Sequence, residues 1–254
     1  MTDNDPHVHS EHFETDAPGT NSAGSTRATP EISPSGARQD GKSAPGAGLR
    51  IGVLALQGDV REHMSALSAA GAEPISVRRP AELAGVDALV MPGGESTTIS
   101  KLAVTFGLME PIRARIAAGM PAYGSCAGMI LLADRILDGP PDQQSIGGLD
   151  VTVRRNAFGR QVDSFEEPVT VDEIGGVPFP AVFIRAPWVE QVGPRATVLG
   201  RVETGVGAGR VVVVRDRNLL ATSFHPELSG DTRMHRYFCE MVRRARIDGA
   251  TPHA

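Results

Sequence analysis

The chain has 254 residues, 41% of them hydrophobic and only 4% aromatic, enough for one full core with an appended segment. Most of the formal charge of −5 lies in residues 1–48, where seven acidic residues face only Arg27, Arg38 and Lys42. The remainder is near neutral and lacks the basic footprint of a nucleic-acid binder, and one Trp and two Tyr offer few stacking platforms. The chain opens with neither a secretory leader nor an acid-poor transit sequence, and no apolar run reaches membrane-spanning length. Two cysteines, Cys126 and Cys239, are too few for a disulfide framework. The expectation is a cytoplasmic protein without nucleic-acid or membrane partners.

Residues 1–48 are rich in Ser, Thr, Pro, Gly and acids and nearly free of large apolar side chains, which predicts a disordered acidic tail ahead of a domain over 49–254. His7, His9 and His12 in that tail have no fixed geometry, so a solvated tail is the reading ahead of a metal site. The apolar run at 51–56 predicts a strand buried on both faces, followed by a helix over 60–70 stopped at Gly71. Strands are expected at 74–77 and 88–91, then helices over 96–104 and 108–118. A short strand over 121–125 runs into Cys126 and an apolar helical run over 129–133. Beyond the loop at 138–147 come β segments at 149–153, 169–171, 181–184, 198–202, 210–214 and 219–223, the last two a hairpin turning at 215–218, and a final helix over 231–246. The alternation predicts an α/β fold with three α/β/α layers, an open, mainly parallel sheet and antiparallel additions.

Three segments that follow apolar strands carry the candidate chemistry. Gly124-Ser125-Cys126-Ala127-Gly128 has the small flanking residues of a nucleophile elbow, and a helix N-terminus after it favours a thiolate. On its own, a cysteine among small residues is more often a packed core thiol. His225-Pro226-Glu227 supplies an imidazole to take and return a proton and a carboxylate to orient it, or else an exposed loop. Pro92-Gly93-Gly94-Glu95-Ser96-Thr97 can turn a peptide N–H, at Gly94, toward a reacting oxygen beside the N–H of Ala127, or can be a glycine turn with Ser96 or Thr97 as helix N-cap. Cys239, inside a helical run, is expected in the core.

Together these segments resemble the class I glutamine amidotransferases. Leu56-Gln57-Gly58 with Arg61-Glu62-His63, the segment 92–97, Arg155 through Gln161, Phe183-Ile184-Arg185-Ala186-Pro187 and 223–228 narrow the resemblance to the glutaminase subunits of pyridoxal 5′-phosphate synthase, the PdxT family, over about 50–244. The resemblance implies hydrolysis of L-glutamine to glutamate and ammonia through a triad of Cys126, His225 and Glu227, with Gly94 and Ala127 as oxyanion donors. It places substrate contacts at Gly94, Glu95, Ser96, Arg155, Ile184 and Arg185. It implies no cofactor or metal, and a partner synthase subunit of (β/α)8 type that receives the ammonia and meets this chain near Gln57, Glu62 and His63. The long N-terminal segment is not part of the family pattern.

Overall fold

The apolar run near position 50 becomes the first strand of a computed structural model that describes residues 44–157 and 164–250. Strand β1 (Arg50–Leu54) leads into helix α1 (Val60–Ala69), which stops where Gly71 takes a φ of 87°, a conformation that side chains resist. There follow β2 (Glu73–Val77), the one-turn α2 (Pro80–Ala84), β3 (Ala88–Met91), α3 (Ser96–Thr105), α4 (Met109–Ala117), β4 (Ala122–Ser125) and α5 (Ala127–Leu132). The second half contributes β5 (Ala133–Leu137), β6 (Leu149–Arg154), β7 (Ser164–Val169), β8 (Phe179–Ile184), β9 (Trp188–Val192), β10 (Thr197–Arg201), β11 (Val211–Asp216) and β12 (Leu219–Thr222) before α6 (Arg233–Ala250).

The main sheet runs β2-β1-β3-β4-β12-β11-β9-β6-β5, with β10 on β11. Its half from β2 to β12 is wholly parallel, whereas β11, β9 and β10 are antiparallel additions. Alternation along each parallel strand feeds two cores. Leu54, Leu89, Met91 and Ala122 point to one face, against Leu83 of α2, Ile99 of α3, Ile112 of α4 and Ile130 of α5. Ile51, Val53, Ala88, Val90 and Tyr123 point to the other, against Leu67 of α1, Phe238 and Met241 of α6, and Phe179 and Phe183 of β8. This is the expected three-layer α/β/α arrangement.

Several elements differ from the sequence reading. The apolar run over 129–133 is helical only to Leu132; Ala133 takes extended angles and opens β5, because a fully buried apolar run carries no period to separate helix from strand. The segments expected at 169–171 and 181–184 as sheet additions instead form a separate antiparallel ribbon of β7 and β8. The hairpin of β11 and β12 turns in two residues, Arg217-Asn218, with Arg217 at φ 53°, rather than in four. Helix α2 and strand β9 were not anticipated. Of the expected tail, residues 1–43, with His7, His9 and His12, lie outside the described residues. Residues 44–48 form a turn in which Gly46 N–H donates to Ala70 O and the Arg243 guanidinium donates to the carbonyls of Ala44, Pro45 and Ala47. No described helix is long and apolar enough to cross a membrane.

Candidate active site

Register explains why residues 99 positions apart in the chain meet. Strand β12 pairs parallel with β4 so that Thr222 lies opposite Ser125, and β3 pairs with β4 so that Met91 lies opposite Gly124. The chain therefore leaves three adjacent strands at one carboxyl edge, delivering Cys126, the Ser223-Phe224-His225 segment and Pro92-Gly93-Gly94 to the same place. In parallel sheets this edge is where ligand crevices form.

The elbow at Cys126 is built by close backbone approach. Cys126 has φ 46° and ψ −100°, a region that costs a non-glycine residue roughly 1–3 kcal/mol. Its N–H donates to Thr222 O at 2.8 Å, which holds the strained peptide in register. A Cβ on Gly124 would fall 2.4 Å from the Gly128 carbonyl, and one on Gly128 would fall 2.1 Å from Met91 O, so neither glycine can be replaced without moving backbone. Cys126 is 6% exposed and its Sγ lies 3.8 Å from Ile184 O.

His225 is held on every side. Its backbone N–H donates to Val182 O at 2.8 Å, and its Nδ1 lies 2.9 Å from Glu227 Oε1 and 3.1 Å from Asp59 Oδ2. Burial opposes charge on this imidazole, but the hydrogen bonds to Asp59, Cys126 and Glu227 outweigh it and raise its pKa above the ordinary histidine value. Glu227 is fully buried, and burial pushes its carboxyl up against the pull of the His225 hydrogen bond. Its second oxygen, Oε2, lies 3.2 Å from His63 Nε2. His63 in turn meets Ser125 Oγ at 2.9 Å and His235 Nε2 at 3.0 Å. Burial, with His235 and His225 nearby, holds His63 neutral, and burial alone lowers His235 to about 4. The ligand atoms of Asp59, His225 and Glu227 converge closely enough to hold a metal ion, but they are already engaged with one another through the Nδ1 hydrogen bonds.

A cleft of about 410 Å³ opens over Cys126 and His225. All six residues expected to contact substrate, Gly94, Glu95, Ser96, Arg155, Ile184 and Arg185, line it. Gly94 takes φ 146°, and a Cβ there would fall 2.4 Å from Gln57 Oε1, the atom that accepts the Glu95 N–H at 2.7 Å. Glu95, not Ser96 or Thr97, is the N-cap of α3: its carboxylate accepts the N–H groups of Thr97 and Thr98. Burial raises the Glu95 pKa, yet those N–H donors and the Thr98 hydroxyl hold it below its usual value. Released from capping, the Ser96 hydroxyl is buried without a partner at the cleft wall. Arg155 is mostly buried and donates to Glu95 Oε1 at 3.1 Å and Gln143 Oε1 at 3.0 Å, so its guanidinium is fixed toward the cleft. Arg185 sits exposed at the rim with φ 42°. Ala127 is the buried first residue of α5, beside the cysteine. The Phe158-Gly159-Arg160-Gln161 half of the Arg155 segment lies outside the described residues.

The sequence of residues 53–244 matches the model of the SNO glutamine amidotransferase family. The chain belongs to that family. Among curated relatives of this amidotransferase, the pyridoxal 5′-phosphate synthase subunit PdxT of Kineococcus radiotolerans is 66% identical over 195 residues, covering 76% of this chain and 94% of that protein. The PdxT subunit of Salinispora arenicola is 67% identical, covering 77% and 97%. A crystal structure described as a glutamine amidotransferase superposes with a TM-score of 0.70 at 48% identity, covering 76% of this chain and 98% of that one. PurLQS from Thermotoga maritima, at 16% identity and a TM-score of 0.57, shares the fold.

Two parts of this amidotransferase site escaped the sequence reading. Asp59 follows the end of β1, a fourth strand end at the same edge, and that position was the available signal. His63, expected with Gln57 and Glu62 at the partner-facing surface, is 0% exposed and lies behind Glu227. Its spacing of four from buried Leu67 on α1 carried that information. Cys239 lies in the core as expected, where burial pushes its thiol up to about 12.

Proposed function

We propose that this protein hydrolyses L-glutamine to L-glutamate and ammonia through a Cys126–His225–Glu227 triad, and that the ammonia passes to a (β/α)8 synthase subunit for pyridoxal 5′-phosphate synthesis. The observation that carries the reading is the cleft in which Cys126, His225 and six expected substrate contacts share one wall system. The PdxT names of relatives above 60% identity support the destination of the ammonia.

In this mechanism the Cys126 sulfur attacks the carboxamide carbon, and the developing oxyanion takes N–H donors from Gly94 and Ala127, each worth about 3 kcal/mol. His225, held as an imidazolium by its carboxylate partners, gives its proton to the departing nitrogen as the C–N bond breaks, leaving a glutamyl thioester. The neutral imidazole then takes a proton from water as the oxygen attacks the thioester, and the C–S bond breaks to release glutamate and the cysteine. Arg155 and Arg185 supply cationic groups for the substrate α-carboxylate, and Glu95 an acceptor for its ammonium. Glu227 fixes the imidazole tautomer from a buried position.

The test is a pull-down of the full chain from its source cell, followed by assay of glutamate release and pyridoxal 5′-phosphate formation by the recovered complex. Recovery of a synthase that forms pyridoxal 5′-phosphate from glutamine nitrogen supports the reading. Recovery of an acceptor enzyme with another product refutes the pathway, and hydrolysis retained in Cys126→Ala refutes the triad.

A further inference from the structure

Asp59 stands at the N-cap of α1, yet its side chain accepts no hydrogen bond from the first turn of that helix. An aspartate in this position ordinarily caps, which is worth about 1 kcal/mol. Here the carboxylate is turned away from the helix, and its Oδ2 lies 3.1 Å from His225 Nδ1, the same nitrogen that Glu227 Oε1 meets at 2.9 Å. The backbone around it leaves little freedom to do otherwise. The Asp59 N–H donates to Gly93 O at 3.3 Å, Gln57 Oε1 accepts from Glu95 N–H at 2.7 Å, and Gly58, at φ 101°, packs so tightly that a Cβ would lie 1.7 Å from Gly93 O. The loop after β1 and the loop after β3 are thus joined at Gln57, at Gly58 and at the Asp59 N–H itself.

We propose that Asp59 is a positioning residue, a second carboxylate on His225 Nδ1 that sustains the imidazolium and ties it to the Gly93-Gly94 loop; the assignment rests on the glutaminase reading above. The two carboxylates differ in what they offer. Glu227 is fully buried and its carboxyl is pushed up by burial, so its charge is costly. Asp59 is 35% exposed, and its hydrogen bond with His225 holds its carboxyl below the ordinary value, so it stays an anion throughout the neutral range. Cys126 faces His225 from the start of α5, Glu227 from its own segment, and Asp59 from the start of α1, with His63 behind Glu227. Glu95, Arg155 and Arg185 line the same cleft, so Asp59 is the acidic group on the cleft side that touches the imidazole. In the reaction, a partly exposed anion on Nδ1 stabilises the cation that must donate to the leaving nitrogen.

The experiment titrates His225 by histidine NMR in the full-length Cys126→Ala chain, where the thiol no longer contributes, with and without Asp59→Asn. His225→Asn identifies the resonance. Removing an anion from hydrogen-bond distance of a partly exposed site is expected to lower the His225 pKa by roughly one unit or more. In the complex with its synthase, Asp59→Asn in the otherwise native chain should lower kcat with an unchanged KM for glutamine, and move the alkaline limb of the rate profile to lower pH. The side chain caps nothing, so the thermal midpoint should fall only as far as loss of the Asp59–His225 pair lowers the folded-state pKa, and Asp59→Ala should act at least as strongly on the titration as Asp59→Asn. An unmoved His225 pKa with an unmoved rate profile overturns the assignment. If the native complex releases no glutamate while the titration shift is present, the glutaminase reading falls and the Asp59–His225 pairing stands.

Discussion

Gly93 offers a sharp test of how closely the glycine loop and the base are fitted. A Cβ at this position would fall 2.2 Å from His225 Cε1, 2.7 Å from Nδ1 and 3.2 Å from Asp59 Oδ2. To restore an ordinary contact of 3.4 Å the ring must retreat by roughly 1.2 Å, about the misplacement that costs a hundredfold in rate. The ring cannot swing freely, because Nδ1 is fixed by Glu227 and Asp59 and the backbone N–H by Val182 O. Gly93→Ala is therefore expected to lower kcat about a hundredfold, with an overpacking cost of about 1–3 kcal/mol to stability. The assay is glutamate release by the complex at saturating glutamine, beside a urea denaturation curve. Gly107→Ala is the control: its φ of 66° makes it a strained site, but nothing lies within 4 Å of the added methyl, so stability should fall by about 1–2 kcal/mol with kcat unaltered. A Gly93→Ala chain with native kcat would refute the packing of loop against imidazole.

Arg155→Met should raise KM for glutamine by roughly 10- to 100-fold with a small change in kcat, as expected for loss of a charge-assisted contact made equally in ground and transition states; an unchanged KM would remove Arg155 from substrate binding. Cys126→Gly and Cys126→Ala should both lack hydrolysis, but the glycine variant should be about 1 kcal/mol the more stable in urea, since glycine releases the strain of φ 46° at a smaller entropic cost; equal midpoints would show that the elbow stores none. His235, lowered to about 4 by burial, stays neutral in the fold while the unfolded chain takes up a proton below about 6.5, so stability should be lost as pH falls through that window, by about 3 kcal/mol from this residue. His63 acts in the same direction. His235→Gln should flatten the dependence measured by urea midpoints between pH 6.5 and 4.5, and an unaltered slope would contradict the assignment of a buried neutral histidine.

The strands that build the site were legible because both their faces are buried. Runs such as Ala88 to Met91 feed alternate residues to two cores and admit no polar position, which marks a parallel strand in the sequence itself. The same property hid β5, since the buried run of α5 passes into it without a change of texture. Glu95 was overlooked as a cap because short side chains are the common N-cap choice, whereas its longer carboxylate reaches two N–H groups and also the Arg155 guanidinium. Asp59 was missed for the converse reason: its position at a helix start predicts a cap, and only the pairing of distant strands discloses that the carboxylate is spent on an imidazole. Such pairing, Thr222 against Ser125, is a long-range property that no local pattern encodes.

Two buried histidines, His63 and His235, lie behind the proposed triad and bear on its polar accounting. The Glu227 side chain has no exposed surface, so both of its carboxylate oxygens need donors from protein. Oε1 takes the His225 Nδ1 proton; Oε2 has His63 Nε2 at 3.2 Å but is left without a hydrogen-bond partner. With the proton of the neutral His63 on Nε2, donated to Ser125 Oγ at 2.9 Å, Nδ1 accepts from His235 Nε2 at 3.0 Å. His235 then has its proton on Nε2 and a bare Nδ1, and that Nδ1 is buried without a partner. Two buried polar atoms, Glu227 Oε2 and His235 Nδ1, thus stand unpaired at opposite ends of this relay, with His63 between them. A leucine at position 63 would remove the polar group that faces Oε2 and strip His235 Nε2 and Ser125 Oγ of their His63 partner, so the number of unpaired buried atoms beside the carboxylate would rise.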